Sequence, residues 1–563
     1  MKSGALSRNI IQWSCICVVA YLVLMPIVML LYGSITNGPP GRSTGYTLAN
    51  YLKAFGAAGL LVALRNSFVY AIGSSVLAFF FGTFLAWVTQ RTDTPGRQII
   101  FLGALIPIFF PTVLMTVSWI LLLSPNVGFI NTLFMNIFGL EKAPFDIYGM
   151  GGMIWVAGIM ETSLAFLWMW PSLNTMDPTL EEASKVAGAN NLRTFYNISL
   201  KLSKPAMLAT WLIIMVRQLE SFAIPGLLGL PRGINVLATE IYLTTTRMPR
   251  DINLATVYGV VLLIITFLGI ALYRWAVKSS EKYVTVTGKG YKAGRINLGN
   301  WKYLTMALSF ILVLLIFILP IFALLFTSFS PYLQAPSMES LHMLNLDNYR
   351  EAFQYEIGFR ALRNSLLLGL GSGVTVMALS TVVAWIVLRT RLPLRNTLDF
   401  MATAPIAIPG VVAGLSIMWV YLVMPLPIYG TIWILLIAYM TRFLPYGMRI
   451  SYSALTQIHK ELEEASFTSG GGWSQTFRLV TLPLLSPSIL VGTIYILLQA
   501  VRELPASIML SSFGNEVFSV TIYDLWEGGY AGRVAAWGVV VIVILSAVSI
   551  LLQTLGKRLG IRL

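Results

Sequence analysis

The chain has 563 residues, of which 57% are hydrophobic and only 11% charged, more apolar surface than a soluble protein can hide in a core. Its mean hydropathy of +0.77 excludes a soluble globular protein and makes it an integral membrane protein. The formal charge of +15 does not indicate nucleic acid, because the basic residues sit in short connections between apolar runs and not on one folded face.

A helix that crosses a bilayer needs about 20 mainly apolar residues. Such runs recur about twelve times, from residues 10–31 to residues 534–555. Cys15 and Cys17 both lie in the first run, where they can form neither a disulfide framework nor a four-ligand zinc site. That run is too long for a signal-peptide core and lacks a small-residue cleavage site before the polar residues 36–42, which predicts a retained first helix. Lys2 and Arg8 precede it. Arg91 and Arg97 follow the second run, Lys278, Lys282, Lys289, Lys292 and Arg295 the sixth, and Arg389, Arg391 and Arg395 the eighth, while Lys557, Arg558 and Arg562 close the chain. Every second connection is basic, so both termini are expected in the cytoplasm.

The chain also repeats itself. Asn50-Tyr51, Ala54-Phe55 and Leu64-Arg65-Asn66-Ser67 recur, displaced by 298 positions, as Asn348-Tyr349, Ala352-Phe353 and Leu362-Arg363-Asn364-Ser365. Ala86-Trp87, Arg91-Thr92, Pro95, Arg97, Pro107 and Pro111 reappear in the same register at Ala384-Trp385, Arg389-Thr390, Pro393, Arg395, Pro405 and Pro409. Farther on the displacement falls to 282, because the first half carries an extra polar stretch at residues 126–148. The expected architecture is all-α, with six helices in residues 1–277 and six in residues 303–563. An even number of crossings gives both halves the same orientation, as parallel repeats around an axis along the membrane normal with a pathway between them. Residues 278–302, rich in Lys and Gly, read as a solvated cytoplasmic tether.

Between the fourth and fifth run of each half lies a polar connection of about thirty residues, unusually long for a compact domain. The first reads Glu181-Glu182-Ala183-Ser184, three residues, Gly188, nine residues, Ile198-Ser199-Leu200-Lys201, then Pro205. The second reads Glu463-Glu464-Ala465-Ser466, three residues, Gly470, nine residues, Val480-Thr481-Leu482-Pro483, then Pro487. Asp177-Pro178 suits an N-cap and first turn, with Glu181 and Glu182 near the positive end of the helix that follows. His459-Lys460 stand there in the second copy. A short helix, a Gly turn and a second short helix make a compact knob of a kind that can sit in a partner's groove, burying Ala and aliphatic side chains while the carboxylates engage its rim.

This doubled pattern resembles the EAA loop of ABC-importer permeases: Glu-Ala-Ala, three residues, Gly, nine residues, Ile, one residue, Leu-Pro. Lys201 departs from it where the pattern has Pro, and both copies carry Ser for the second Ala. The resemblance implies the type I ABC-importer permease fold, with two permease halves fused in one multi-pass chain of the bacterial inner membrane. It further implies that Glu181, Glu182, Ala183 and Gly188, with Glu463, Glu464, Ala465 and Gly470, dock two copies of an ABC ATPase subunit. ATP and Mg are then bound by that partner, since the chain has no Gly-x-x-x-x-Gly-Lys-Ser/Thr loop and needs no cofactor of its own. A periplasmic solute-binding protein is expected on outer loops such as residues 38–53 and 331–350. Membrane lipid surrounds the spans.

Ionisable residues inside apolar spans are costly and mark functional sites. The fifth run carries Arg217 and Glu220, three apart and so expected on one helix face, and the eleventh carries Arg502 and Glu503. The register leaves open whether Glu220 matches Arg502 or Glu503. The fourth run carries Glu161 and the tenth Arg442, so a cross-half ion pair between them is conceivable. Glu220 and Glu503 are expected to face the path and stabilise a cationic solute or a gate, against the alternative that each Arg only neutralises a nearby Glu. Residues 219–225 and 502–506 resemble the ferric-iron branch of these permeases, which is similar in plan to permeases for thiamine, polyamines, sulfate and 2-aminoethylphosphonate. No metal site within the chain is expected, because the only histidines are His342, in an outer loop, and His459, in the inner knob.

An ion-coupled secondary transporter is the rival reading, since such carriers also have twelve spans in two similar halves. Arg91, Asp93, Gly96 and Arg97 resemble the loop signature of the major facilitator type, but Arg391 and Leu394 replace Asp93 and Gly96 in the second half. Such carriers also lack paired long loops. A membrane enzyme is disfavoured, because neither His-Glu-x-x-His nor Gly-x-Ser-x-Gly occurs.

Overall fold

A computed structural model describes residues 2–56, 58–174, 178–280, 295–390 and 392–558. Asp177, Lys282, Lys289, Lys292, Arg391 and Arg562 lie outside the described residues. The first half runs through α1 (Lys2–Ile35), α2 (Ala58–Arg91), the pair α3 (Arg97–Leu105) and α4 (Thr112–Leu123), α5 (Met150–Asn174), α6 (Pro178–Val186), α7 (Leu200–Leu219), α8 (Leu237–Thr246) and α9 (Ile252–Ser280). The second half repeats the order. It runs through α10 (Trp301–Val313) and α11 (Leu319–Phe329), joined by a π-turn, then α12 (Glu356–Arg389), the pair α13 (Arg395–Thr403) and α14 (Gly410–Val423), α15 (Ile432–Gln457), α16 (Lys460–Thr468), α17 (Leu482–Arg502), α18 (Phe518–Glu527) and α19 (Ala531–Arg558).

Among the described residues, eight helices are long and apolar enough to cross a membrane, counting α10–α11 as one, and the bent pairs α3–α4 and α13–α14 bring the number to ten. The other two expected spans are α7 and α15, 20 and 26 residues long. They are long enough to cross, but Lys201, Lys204 and Arg217 in one and Arg442 and Arg449 in the other dilute their hydropathy. The bent pairs turn by 111° and 112° at their breaks. Both breaks fall at a proline, Pro111 or Pro409, preceded by an extended Phe110 or Ile408. Proline supplies no N–H to the helix and pushes the residue before it out of the helical region.

The repeated residues do equivalent work in the two halves. Asn50 Nδ2 donates to the carbonyls of Ser34 and Thr36 at 3.1 and 2.9 Å, and Asn348 Nδ2 to those of Ser328 and Ser330 at 3.3 and 2.6 Å. The hydroxyls of Tyr51 and Ser34, and of Tyr349 and Ser328, are each 2.9 Å apart. Ser67 Oγ accepts the backbone N–H of Leu237 at 2.9 Å, and Ser365 Oγ that of Phe518 at 2.8 Å. Leu237 and Phe518 open α8 and α18, so each serine satisfies an otherwise orphaned N–H at a helix start.

The halves interlock reciprocally. α1 of the first half packs on α14 of the second, while α11 of the second packs on α4 of the first. Gly33 makes the first contact possible, since a Cβ there would lie 2.8 Å from the Trp419 ring. Two expectations change. The stretch 126–148 is not simply polar: it contains the apolar helix Phe129–Phe138, pinned by Asn131 Nδ2 to the carbonyls of Leu123, Ser124 and Phe145 at 2.8–3.0 Å. The described end of the linker is not a free tether either. The Ile296 N–H reaches the Arg91 carbonyl at 2.7 Å and the Leu298 N–H the Asp93 carboxylate at 3.0 Å, fastening the linker to the end of α2.

Candidate functional site

Two constellations stand out, a pair of knobs and a charged cavity between the halves. In each knob a short helix, α6 or α16, ends at a glycine with left-handed backbone, Gly188 at φ +85° and Gly470 at φ +88°. That conformation costs an L side chain energy and costs glycine none. The chain then turns back through Asn191–Thr194 or Trp473–Thr476. A hydroxyl pair closes each knob, Ser184 with Thr194 at 3.0 Å and Ser466 with Thr476 at 2.8 Å. The Ser in place of the second Ala therefore has a structural use in both copies.

The carboxylates divide their labour differently from the sequence expectation, which put all of them on a partner's rim. Glu181 turns inward to pair with the buried Arg91 at the end of α2. Glu463, itself buried, lies 3.4 Å from Arg389 at the end of α12 and accepts from Thr481 Oγ1 at 2.9 Å. Glu182, Ala183 and Gly188, and Glu464, Ala465 and Gly470, are exposed. The inward turn follows from helical spacing, because adjacent residues point about 100° apart, so a helix that faces Glu182 and Ala183, or Glu464 and Ala465, outward turns the preceding Glu toward the bundle. Arg91 and Arg389 are members of these sites that the sequence reading did not place there, taking them for orientation charges and matched positions of the repeat. Their recurrence in one register was the signal that could have marked them.

The cavity has a volume of about 120 Å³ and is lined by Glu161, Arg217, Glu220, Arg442, Arg502 and Glu503, brought together from both halves. The conceivable Glu161–Arg442 pair is not formed. Glu161 instead meets Arg217 at 3.4 Å within its own half, and Arg442 meets Glu503 at 2.8 Å and, across the boundary, Glu220 at 3.8 Å. Nor do Arg217 and Glu220 share a helix face, because α7 ends at Leu219 and Glu220 is the first residue beyond it. Glu503 is likewise the first residue beyond α17. Helix ends thus resolve the register: Glu220 corresponds to Glu503, and both reach for Arg442.

Arg502 has no carboxylate partner among the described residues, and its Nη1 donates across the boundary to the Ile108 carbonyl at the α3–α4 break. The proline break is what frees a carbonyl there. Gly410, next to Pro409, leaves room for the Arg442 guanidinium, which a Cβ would strike. Three carboxylates and three guanidiniums balance in charge, which lowers the cost of holding them together away from bulk water. Among the described residues no group of His, Cys, Asp and Glu has metal-holding geometry. His342 and His459 are both exposed, at the end of the short helix Met338–His342 and just before α16.

Residues 376–561 match the family described as binding-protein-dependent transport system inner membrane component. The chain is 26% identical over 550 residues to a ferric transport system permease protein FbpB of Actinobacillus pleuropneumoniae, covering 95% of this chain and 76% of that one. It is 28% identical over 455 residues to a putative ferric transport system permease protein FbpB 1 of Haemophilus influenzae, covering 80% and 69%. A putative 2-aminoethylphosphonate transport system permease protein PhnV of Salmonella paratyphi A is 27% identical over 200 residues, covering 36% of this chain and 76% of that one.

Proposed function

We propose, from the premise that this chain is a fused two-half ABC-importer permease resembling the ferric-iron permeases, that it passes ferric iron through the bacterial inner membrane. A periplasmic binding protein delivers the cargo, and two copies of a separate ATPase subunit, which bind the ATP and Mg, supply the power. Both termini then lie in the cytoplasm on the ATPase side. What carries this reading is the pair of equivalent knobs, each with an exposed Glu-Ala face and a back tied by an ion pair to a spanning helix. Pulling on such a knob moves α2 or α12 with it, and the Arg442–Glu220 and Arg502–Ile108 contacts are what must part when the halves separate. The ferric assignment is supported by likeness along nearly the whole fused chain, whereas the 2-aminoethylphosphonate relative matches only a part of it.

Proteoliposomes holding this chain, its ATPase and its binding protein test the proposal. Labelled ferric iron should accumulate with Mg-ATP and no ion gradient. Uptake driven by a proton or sodium gradient without ATP would replace this reading with the secondary-transporter one. Replacing Glu220 and Glu503 with Gln should slow transport, and unchanged transport in both variants would remove them from the pathway.

A further inference from the structure

Lys201 is the residue at which the first loop departs from its motif, and Lys204 lies three residues on, so both stand on one face of α7. Both are exposed, and among the described residues no carboxylate pairs with either. They flank a groove of about 580 Å³ whose wall is apolar and aromatic, with Val76, Phe79 and Phe80 from α2 and Met207 and Trp211 from α7. The second half is built otherwise: the equivalent positions hold Pro483 and Ser486 for the lysines, Met377 and Ala378 for the two phenylalanines, and Thr493 for the tryptophan.

The groove lies where a membrane boundary is expected. α2 has 34 residues, roughly 51 Å at about 1.5 Å per residue, against a hydrocarbon layer of about 30 Å. Phe80 stands roughly 17 Å from the end of α2 at Arg91, the end to which the first knob is fastened. α2 projects beyond the hydrocarbon there, so the lysine stems reach the headgroup level while the aromatic wall stays among acyl chains.

We propose that this groove binds one anionic phospholipid, its phosphate held by Lys201 and Lys204 and an acyl chain lying along Phe79, Phe80 and Trp211. Charge complementarity selects the headgroup, since it is faced by two cations that no carboxylate among the described residues pairs with. The apolar wall selects a lipid over a free phosphate. The site belongs to the first half alone and lies beside the first knob, so a lipid there braces one of the two knobs and not the other.

Native mass spectrometry of the full purified chain with added phosphatidylglycerol or phosphatidylcholine of the same chain length tests this. The wild type should retain one phosphatidylglycerol in preference to phosphatidylcholine. Lys201→Gln/Lys204→Gln should weaken that retention about 25-fold, a factor of about five per lysine, while Lys201→Arg/Lys204→Arg should keep it. Phe79→Ala/Phe80→Ala should also weaken it, and excess inorganic phosphate should not displace the lipid. Equal retention of the two lipids, or unchanged retention in the Gln variant, would overturn the proposal. Displacement by phosphate with no effect of the Phe substitutions would reduce the site to a simple anion site and overturn it equally.

Discussion

Arg442 and Glu220 come from different halves of the chain and meet at 3.8 Å, while the same guanidinium holds Glu503 of its own half at 2.8 Å. One cation thus serves two carboxylates that occupy equivalent places in the repeat, so it is the centre on which the halves close.

Removing that centre leaves two carboxylates without their cation. Arg442→Gln should destabilise the purified chain by about 3–5 kcal/mol, the usual cost of stranding a buried charge, seen as a lower thermal unfolding midpoint. Glu220→Gln, which breaks only the longer contact, should cost distinctly less than Glu503→Gln. Equal losses for the two would show that Arg442 does not discriminate between them.

Gly410→Ala tests the same centre from the backbone side. A Cβ at Gly410 meets the Arg442 guanidinium and Pro505, so this one-methyl change should lower stability, and its effect should not add to that of Arg442→Gln. Additive losses would mean that the glycine serves something else.

The back of each knob makes a further prediction. Arg91→Gln should deprive Glu181 of this buried cation and lower both stability and the transport that ATP supports, whereas Arg91→Gln/Glu181→Gln should recover most of the stability, since a neutral pair needs no ion partner. Recovery of stability without recovery of coupled uptake would assign the ion pair to force transmission. Failure to recover stability would show that Arg91 acts through other partners.

At Gly188 and Gly470 the left-handed backbone has no neighbour within reach of a Cβ, so only backbone energy decides the outcome. Ala at either should cost about 1–2 kcal/mol of knob stability, and Asn, which tolerates that region, should cost less. Binding of the ATPase to the variants should rank Gly, then Asn, then Ala, and a different order would mean that size, not conformation, matters.

On the loop before α18, burial would raise the Glu516 carboxyl, but hydrogen bonds from Arg360 and from the backbone outweigh it and hold the group below the ordinary carboxylate range. The Arg360 bonds are both 2.9 Å. A depressed acid stabilises the fold above its unfolded value of about 4.3 and loses that contribution as pH falls through the folded value. The stability difference between wild type and Glu516→Gln should therefore be full near pH 6 and shrink below about pH 4. A difference that grows in acid would reverse the sign of the argument.

Much of this was legible in the residue string. The displaced pairs from Asn50 to Ser67 mark the positions whose side chains tie the helix ends, because one sequence folded twice must satisfy the same orphaned backbone groups twice. The knobs were legible for a similar reason, since Gly188 and Gly470 sit where only glycine turns without strain. The direction of each Glu in the knob was not, because it depends on Arg91 and Arg389 arriving from helices some ninety and seventy residues earlier in the chain.

By itself the sequence determined the membrane class, the duplication, the knobs and the presence of three acids and three arginines among apolar residues, since hydropathy, register and spacing are properties of the string. Only the tertiary structure decided who pairs with whom. Ion pairing depends on distances of a few Å between helices, and those are set by where α7 and α17 end, where the prolines break α3–α4 and α13–α14, and how the halves interlock. None of these distances is encoded in any single segment.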